Sequence, residues 1–87
     1  MDDPHIVPIG SEFDLHPFAP RDIPDVVDAY LHEAHALGLP DVRIVHGRGV
    51  GVQRARVHQV LQGHPLVESH HDDPRSHLGA TLVTLKA

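Results

Sequence analysis

The sequence predicts a small α/β domain with the element order βαβαββ. Three observations lead there. Two stretches carry apolar residues at three- and four-residue steps, four short stretches are β-branched or alternate apolar with polar, and proline or glycine punctuates the junctions. Helices set between strands imply right-handed parallel crossovers, and the last two strands, joined by "DDPRSHLG", read as a hairpin.

Residues 1–11 lack periodicity and read as an N-terminal arm, which leaves 12–87 as one domain. In "SEFDLH" Phe13 and Leu15 point one way, Asp14 and His16 the other, as in a half-buried strand. Prolines at 17, 20 and 24 end that strand and open a helix. Ile23, Val26, Val27, Tyr30, Leu31, Ala34 and Leu37 form its apolar stripe, with Asp22 as N-cap and Gly38 with Pro40 as the stop. Val42 to His46 is an apolar, β-branched strand. The second helix spans Val52 to Gln62, buries Val57, Val60 and Leu61, and ends before Gly63 and Pro65. The polar strand 66–72 suits a sheet edge, and the apolar strand 80–86 suits the interior.

A chain of 87 residues allows one domain with a modest core, and the absence of cysteine excludes a disulfide framework or a thiolate zinc site. No apolar run approaches the roughly 20 residues needed to cross a bilayer. The start "MDDPHIVPIG" lacks the basic region and apolar run of a secretory signal, so a cytoplasmic protein without a membrane partner is expected. The net charge is −5, but its distribution is uneven. No acid falls between Val42 and Val67, whereas Arg43, Arg48, Arg54 and Arg56 do. A positive face on a negative body suits an anionic partner.

Strand one ends "DLH" and strand two ends "VHG". As parallel neighbours they would bring His16 and His46 to the carboxyl edge of the sheet, where open α/β sheets bind ligands. Gly47, Gly49 and Gly51 lead from that edge into the second helix, whose first N–H groups lack intrahelical partners, an arrangement able to hold a phosphate. Arg43, Arg48 and Arg54 would add charge beside it. The spacing is neither that of a P-loop nor that of a dinucleotide-binding fold. In "SHHDDPRSH", His70 and His71 would face opposite sides of a strand, so no metal site is expected there. His5, His32, His35, His58 and His64 are expected on the surface without chemistry.

The ordered combination of "FDLH", "HGRGVG" and "GATLVTL" resembles the Smr (small MutS-related) domain over residues 12–86, and most of all its standalone bacterial members, as no ATPase region precedes it. The resemblance implies a two-layer α/β sandwich with sheet order 1-2-4-3, similar to the C-terminal domain of translation initiation factor three. It also implies DNA or RNA binding and a nicking endonuclease or ribonuclease activity. On that reading the Gly47–Gly51 backbone with Arg48 and Arg54 holds the phosphate, and His46 is the general acid or base. Asp14 and His16 orient it or a water, with Mg2+ or Mn2+ as an optional cofactor. A binding module without catalysis is the alternative, and an uncovered sheet face would allow a homo-oligomer. Two departures stand out: Pro17 replaces the family's glycine after "DLH", and "SHLGAT" replaces GGWGAT, removing an aromatic surface.

Overall fold

The computed structural model describes residues 11–47, 49 and 51–87. The expected arm therefore lies, but for Ser11, outside the described residues, as do His5 and Arg48. The elements are β1 (Glu12–Asp14), α1 (Ile23–Ala36), β2 (Asp41–Val45), α2 (Val52–Leu61), β3 (Val67–Asp72) and β4 (Ala80–Leu85), with a 3-10 turn at Pro20–Asp22 before α1. The sheet order is β1-β2-β4-β3. β1 and β2 are parallel, and β4 runs antiparallel to both β2 and β3. The carboxyl ends of β1, β2 and β3 consequently share one edge with the start of β4.

Helix α1 forms because Ile23, Val27, Tyr30, Leu31 and Ala34 recur on one face, and all five are buried. Asp22 occupies the N-cap position, yet its side chain makes no capping bond. The C-terminus closes as the sequence suggests: Leu39 N–H reaches Ala34 O at 3.1 Å and Gly38 N–H reaches His35 O at 3.0 Å, with Gly38 at φ 77°. Helix α2 buries only Val57 and Leu61 fully, with Val60 packed against them. Its inner side is otherwise polar, and that polarity belongs to the site.

Both helices cover the sheet face that carries Leu15, Val42, Ile44, Val83 and Leu85, all in one core with the helical residues. Phe13 stacks on Tyr30 with ring centroids 4.3 Å apart, which closes the β1 side. Burial of each such side chain stabilises the domain by roughly 1.5–3 kcal/mol. The other face, with Glu12, Asp14, Arg43, His71, Leu82 and Thr84, carries no helix among the described residues. A register shift between Val67 and Ser69 bends β3 at that edge and sets His70 toward α2 and His71 toward the open face.

The β3–β4 connection is tied from within. Asp73, fully buried, receives the Arg43 Nε–H at 2.7 Å and the Arg75 backbone N–H at 3.0 Å. These donors hold its carboxyl well below the usual 3.8, at about 2, the Arg43 bond being the largest cause. The Ser76 hydroxyl donates to Asp73 O at 2.7 Å and accepts from Ala80 N–H at 3.0 Å. The loop so held places His77 at φ 53° and Leu78 at φ 70°, a conformation rare outside glycine.

Candidate nucleic-acid cleft

The parallel register of β1 and β2 continues past the end of β1, with Leu15 N–H donating to Val45 O at 2.9 Å. His16 thereby arrives beside Gly47. A Cβ at Gly47 would lie 3.1 Å from His16 Nε2, on a backbone at φ 82°, so a side chain at residue 47 would crowd the imidazole and strain the turn. His16, His46, Gly47, Gly49, Gly51, Val52 and Gln53 line a cleft of about 370 Å³ at this edge.

Asp14 orients the exposed imidazole. Its Oδ1 accepts the His16 backbone N–H at 2.9 Å and contacts Nδ1 at 2.6 Å. A carboxylate can only accept at neutral pH, so Nδ1 carries a ring proton, and Nε2 faces Gly47. These bonds, the backbone one first, hold the Asp14 carboxyl below its ordinary value.

His46 is placed differently. It is 5 % exposed, and both ring nitrogens are engaged: Nδ1 with Gly47 O and Nε2 with Thr81 Oγ1, each at 2.9 Å. A carbonyl only accepts, so Nδ1–H donates to Gly47 O and Nε2 must accept the Thr81 hydroxyl proton. Thr81 Oγ1 in turn accepts His58 Nε2–H at 2.9 Å. Asp72 Oδ1 lies 3.6 Å from His58 Nε2, and the His70 ring sits 5.0 Å from that of His58. Burial is the main cause that pulls His46 and His58 below the usual 6.5, and the nearby Arg54 charge adds to it. His46 thus closes the turn from beneath, as a neutral ring.

His46 N–H and Gly47 N–H both donate to Gly79 O, at 3.0 and 2.9 Å, so the β3–β4 loop buttresses the turn and Gly47 has no amide to spare. Among the described residues the first i→i−4 bond of α2 runs from Ala55 N–H to Gly51 O, and the helix start at Gly51, Val52 and Gln53 lines the cleft. Gly51 takes φ 85° to aim this helix start into the cleft.

The expected arginines are drawn elsewhere. Arg54 binds Asp72 through Nε at 2.8 Å and Nη2 at 2.6 Å, and Arg43 binds Asp73 and, at 3.0 Å, Glu12. Arg43 lines a separate hollow on the open sheet face, and Arg56 donates to Pro20 O at 2.9 Å. The acid-free stretch is thus partly neutralised by acids that the fold brings in from β1 and from the end of β3. Arg48 lies outside the described residues.

Two histidines expected on the surface are not there. His58 belongs to the chain beneath His46, and buried His64 directs Nε2 to Asp28 Oδ1 at 2.7 Å. Asp28, His32 and His64 hold ligand-type atoms within 4.8 Å of one another. His64 Nδ1, however, accepts Leu66 N–H at 3.1 Å, which puts the ring proton on Nε2 and completes the set by hydrogen bonding alone. Sequence reasoning missed Thr81, His58, Asp72 and Gln53. Gln53 was within reach, since it lies two residues beyond the last glycine; the others meet only through the sheet order. A hard divalent cation fits poorly. Beside the cleft stands one described carboxylate, Asp14, and its Oδ1 is already engaged by the His16 backbone N–H and ring Nδ1.

With this geometry in view, the sequence matches the Smr domain over residues 13–86. The chain belongs to the Smr domain family. The Smr domain of Thermus thermophilus MutS2 superposes with a TM-score of 0.82 at 36 % identity, covering 87 % of this chain and 98 % of that one. YdaL, a stand-alone small MutS-related protein of Escherichia coli, shares the fold at a TM-score of 0.80 and 24 % identity, over 88 % of this chain and 65 % of that one. Endonuclease MutS2 of Clostridium botulinum is 38 % identical over 80 residues, which span 90 % of this chain and 10 % of that protein. The Thermomicrobium roseum protein of the same name is 44 % identical over 64 residues, 71 % of this chain and 8 % of that protein. This Smr domain therefore corresponds to a tenth or less of those curated relatives. No helix among its described residues is long and apolar enough to cross a membrane.

Proposed function

We propose that this Smr domain binds a nucleic-acid phosphate in the cleft and cleaves the phosphodiester, with His16 as the general base. The observation that carries the reading is the Asp14–His16 pair at the mouth of the glycine turn: Nδ1 held by carboxylate at 2.6 Å and Nε2 turned to Gly47. An imidazole fixed in one tautomer by a carboxylate is suited to taking a proton from an attacking hydroxyl or water. The amides at the start of α2, Gly51, Val52 and Gln53, with the partial positive charge of that helix end, receive the phosphoryl oxygens. As the new P–O bond forms and the bond to the leaving oxygen breaks, charge grows on those oxygens, beside the positive end of α2. His46 serves this chemistry by fixing the Gly47 carbonyl. The names of the MutS2 relatives support a nuclease, and the reading concerns the domain alone.

The test is single-turnover cleavage of end-labelled DNA and RNA by the parent, His16→Ala and Asp14→Asn. Loss of the base is expected to slow cleavage by about 10²–10⁴-fold. Cleavage by His16→Ala at the parental rate would remove the assignment. A parent that binds and never cleaves would leave a binding module.

A further inference from the structure

Four large apolar side chains among the described residues stand exposed: Phe18 at 36 %, Leu37 at 59 %, Val52 at 48 % and Leu78 at 53 %. Leu37 follows α1, at the end of the domain away from the cleft. Of the other three, Phe18 and Leu78 lie on the β1–α1 and β3–β4 connections at the cleft's edge of the sheet, and Val52 is the first residue of α2. Phe18 lies two residues beyond His16, Val52 is in the cleft wall, and Leu78 precedes the Gly79 carbonyl that holds the turn. The sheet order puts the end of β1 on one side of β2 and the β3–β4 loop on the other. Phe18 and Leu78 therefore flank the glycine turn from opposite sides.

Leu78 makes the pattern harder to ascribe to chance. It and His77 adopt consecutive left-handed conformations that a side chain with a Cβ resists. A leucine left half exposed gains little burial to offset that strain, and strain held by a surrounding hydrogen-bonded loop collects at functional sites. Phe18 is likewise supported: its ring lies 5.7 Å from Phe13, which stacks on Tyr30, so it is the outermost member of an aromatic column rooted in the core.

Resting on the nucleic-acid reading above, we infer that the cleft takes single-stranded nucleic acid, with unstacked bases lying on Phe18 and Leu78 on either side of the bound phosphate. An anion-binding floor with apolar flanks matches the alternation of charge and base along one strand. A duplex offers that rim sugars and phosphates, because its bases are stacked inside.

The experiment measures binding of a fluorescein-labelled mixed-sequence 12-mer, as DNA and as RNA, each single-stranded and annealed to its complement. The variants are Leu78→Gly, Phe18→Ser and, as a control, Leu37→Ser. The single strands are expected to bind about tenfold more tightly than the duplexes. Leu78→Gly is expected to weaken single-strand binding about fivefold while leaving duplex binding unchanged. The same change is expected to raise the melting temperature, since glycine relieves φ 70°; a role in folding alone would move stability without moving affinity. Leu37→Ser is expected to bind as the parent does. Duplex binding equal to or tighter than single-strand binding, or full affinity in both Leu78→Gly and Phe18→Ser, overturns the inference alone. Absence of binding to any oligonucleotide overturns the nucleic-acid reading with it.

Discussion

Thr81→Val probes the link between the buried network and the turn. Thr81 is fully buried, and its hydroxyl joins His46 Nε2 to His58 Nε2 at 2.9 Å on each side. Valine keeps the shape and removes the hydroxyl, which leaves the His46 acceptor buried and unpaired, a defect of about 1–3 kcal/mol. His58 loses less, because its ring is partly exposed and Asp72 Oδ1 stands 3.6 Å away. The added methyl offsets a fraction, so a net loss of about 2 kcal/mol is expected against a total of about 4–13 kcal/mol for a domain of this length. That corresponds to a fall of about 10 °C in the thermal midpoint. Thr81→Ser keeps the hydroxyl and loses one methyl, about 1 kcal/mol. Nitrogen-15 NMR of the imidazoles should find the His46 proton on Nδ1 in the parent and in the serine variant. A valine variant that melts with the parent, or a parental His46 proton on Nε2, would refute the network.

Further expectations follow from the same geometry. Gly47→Ala places a Cβ 3.1 Å from His16 Nε2 on a backbone at φ 82°, so it should lose about 1–2 kcal/mol of stability and also displace the His16 ring, seen as loss of cleavage or of its NMR contacts with the turn. His46 and His58 titrate below 6.5 in the folded chain, so the unfolded state takes up more protons as pH falls through that value. Urea midpoints should therefore drop between about pH 7 and 5, a trend that His58→Gln should reduce. Asp73, lowered to about 2, contributes stability that is complete above 3.8 and lost as pH falls toward 2; Asp73→Asn should abolish that lower step in an acid titration.

Much of the fold was legible because period and punctuation agree. The stripe from Ile23 to Ala34 and the stop at Gly38 are local signals, and the polar 66–72 and apolar 80–86 strands announced edge and interior. The meeting of "DLH" and "VHG" was legible too, since two parallel strands must deliver their ends together. The division of labour between the histidines was not. Nothing local to "VHG" says that Thr81, 35 residues away, will occupy the His46 Nε2, or that Asp72 will draw Arg54 off. Those partners depend on β4 entering beside β2 and β3 lying outside it, a register set by the entire sheet. His58 and His64 escaped for the same reason: their polarity reads as surface until the layer above the sheet is assembled.

The central claim is that a phosphate sits at the start of α2 beside His16. The most direct measurement is the set of backbone amide and imidazole shifts on titration with the dinucleotide thymidylyl-thymidine. Saturable shifts at Gly49, Gly51, Val52 and Gln53 together with the His16 ring are the expected result. Shifts that saturate elsewhere, with these amides and His16 unmoved, would contradict it.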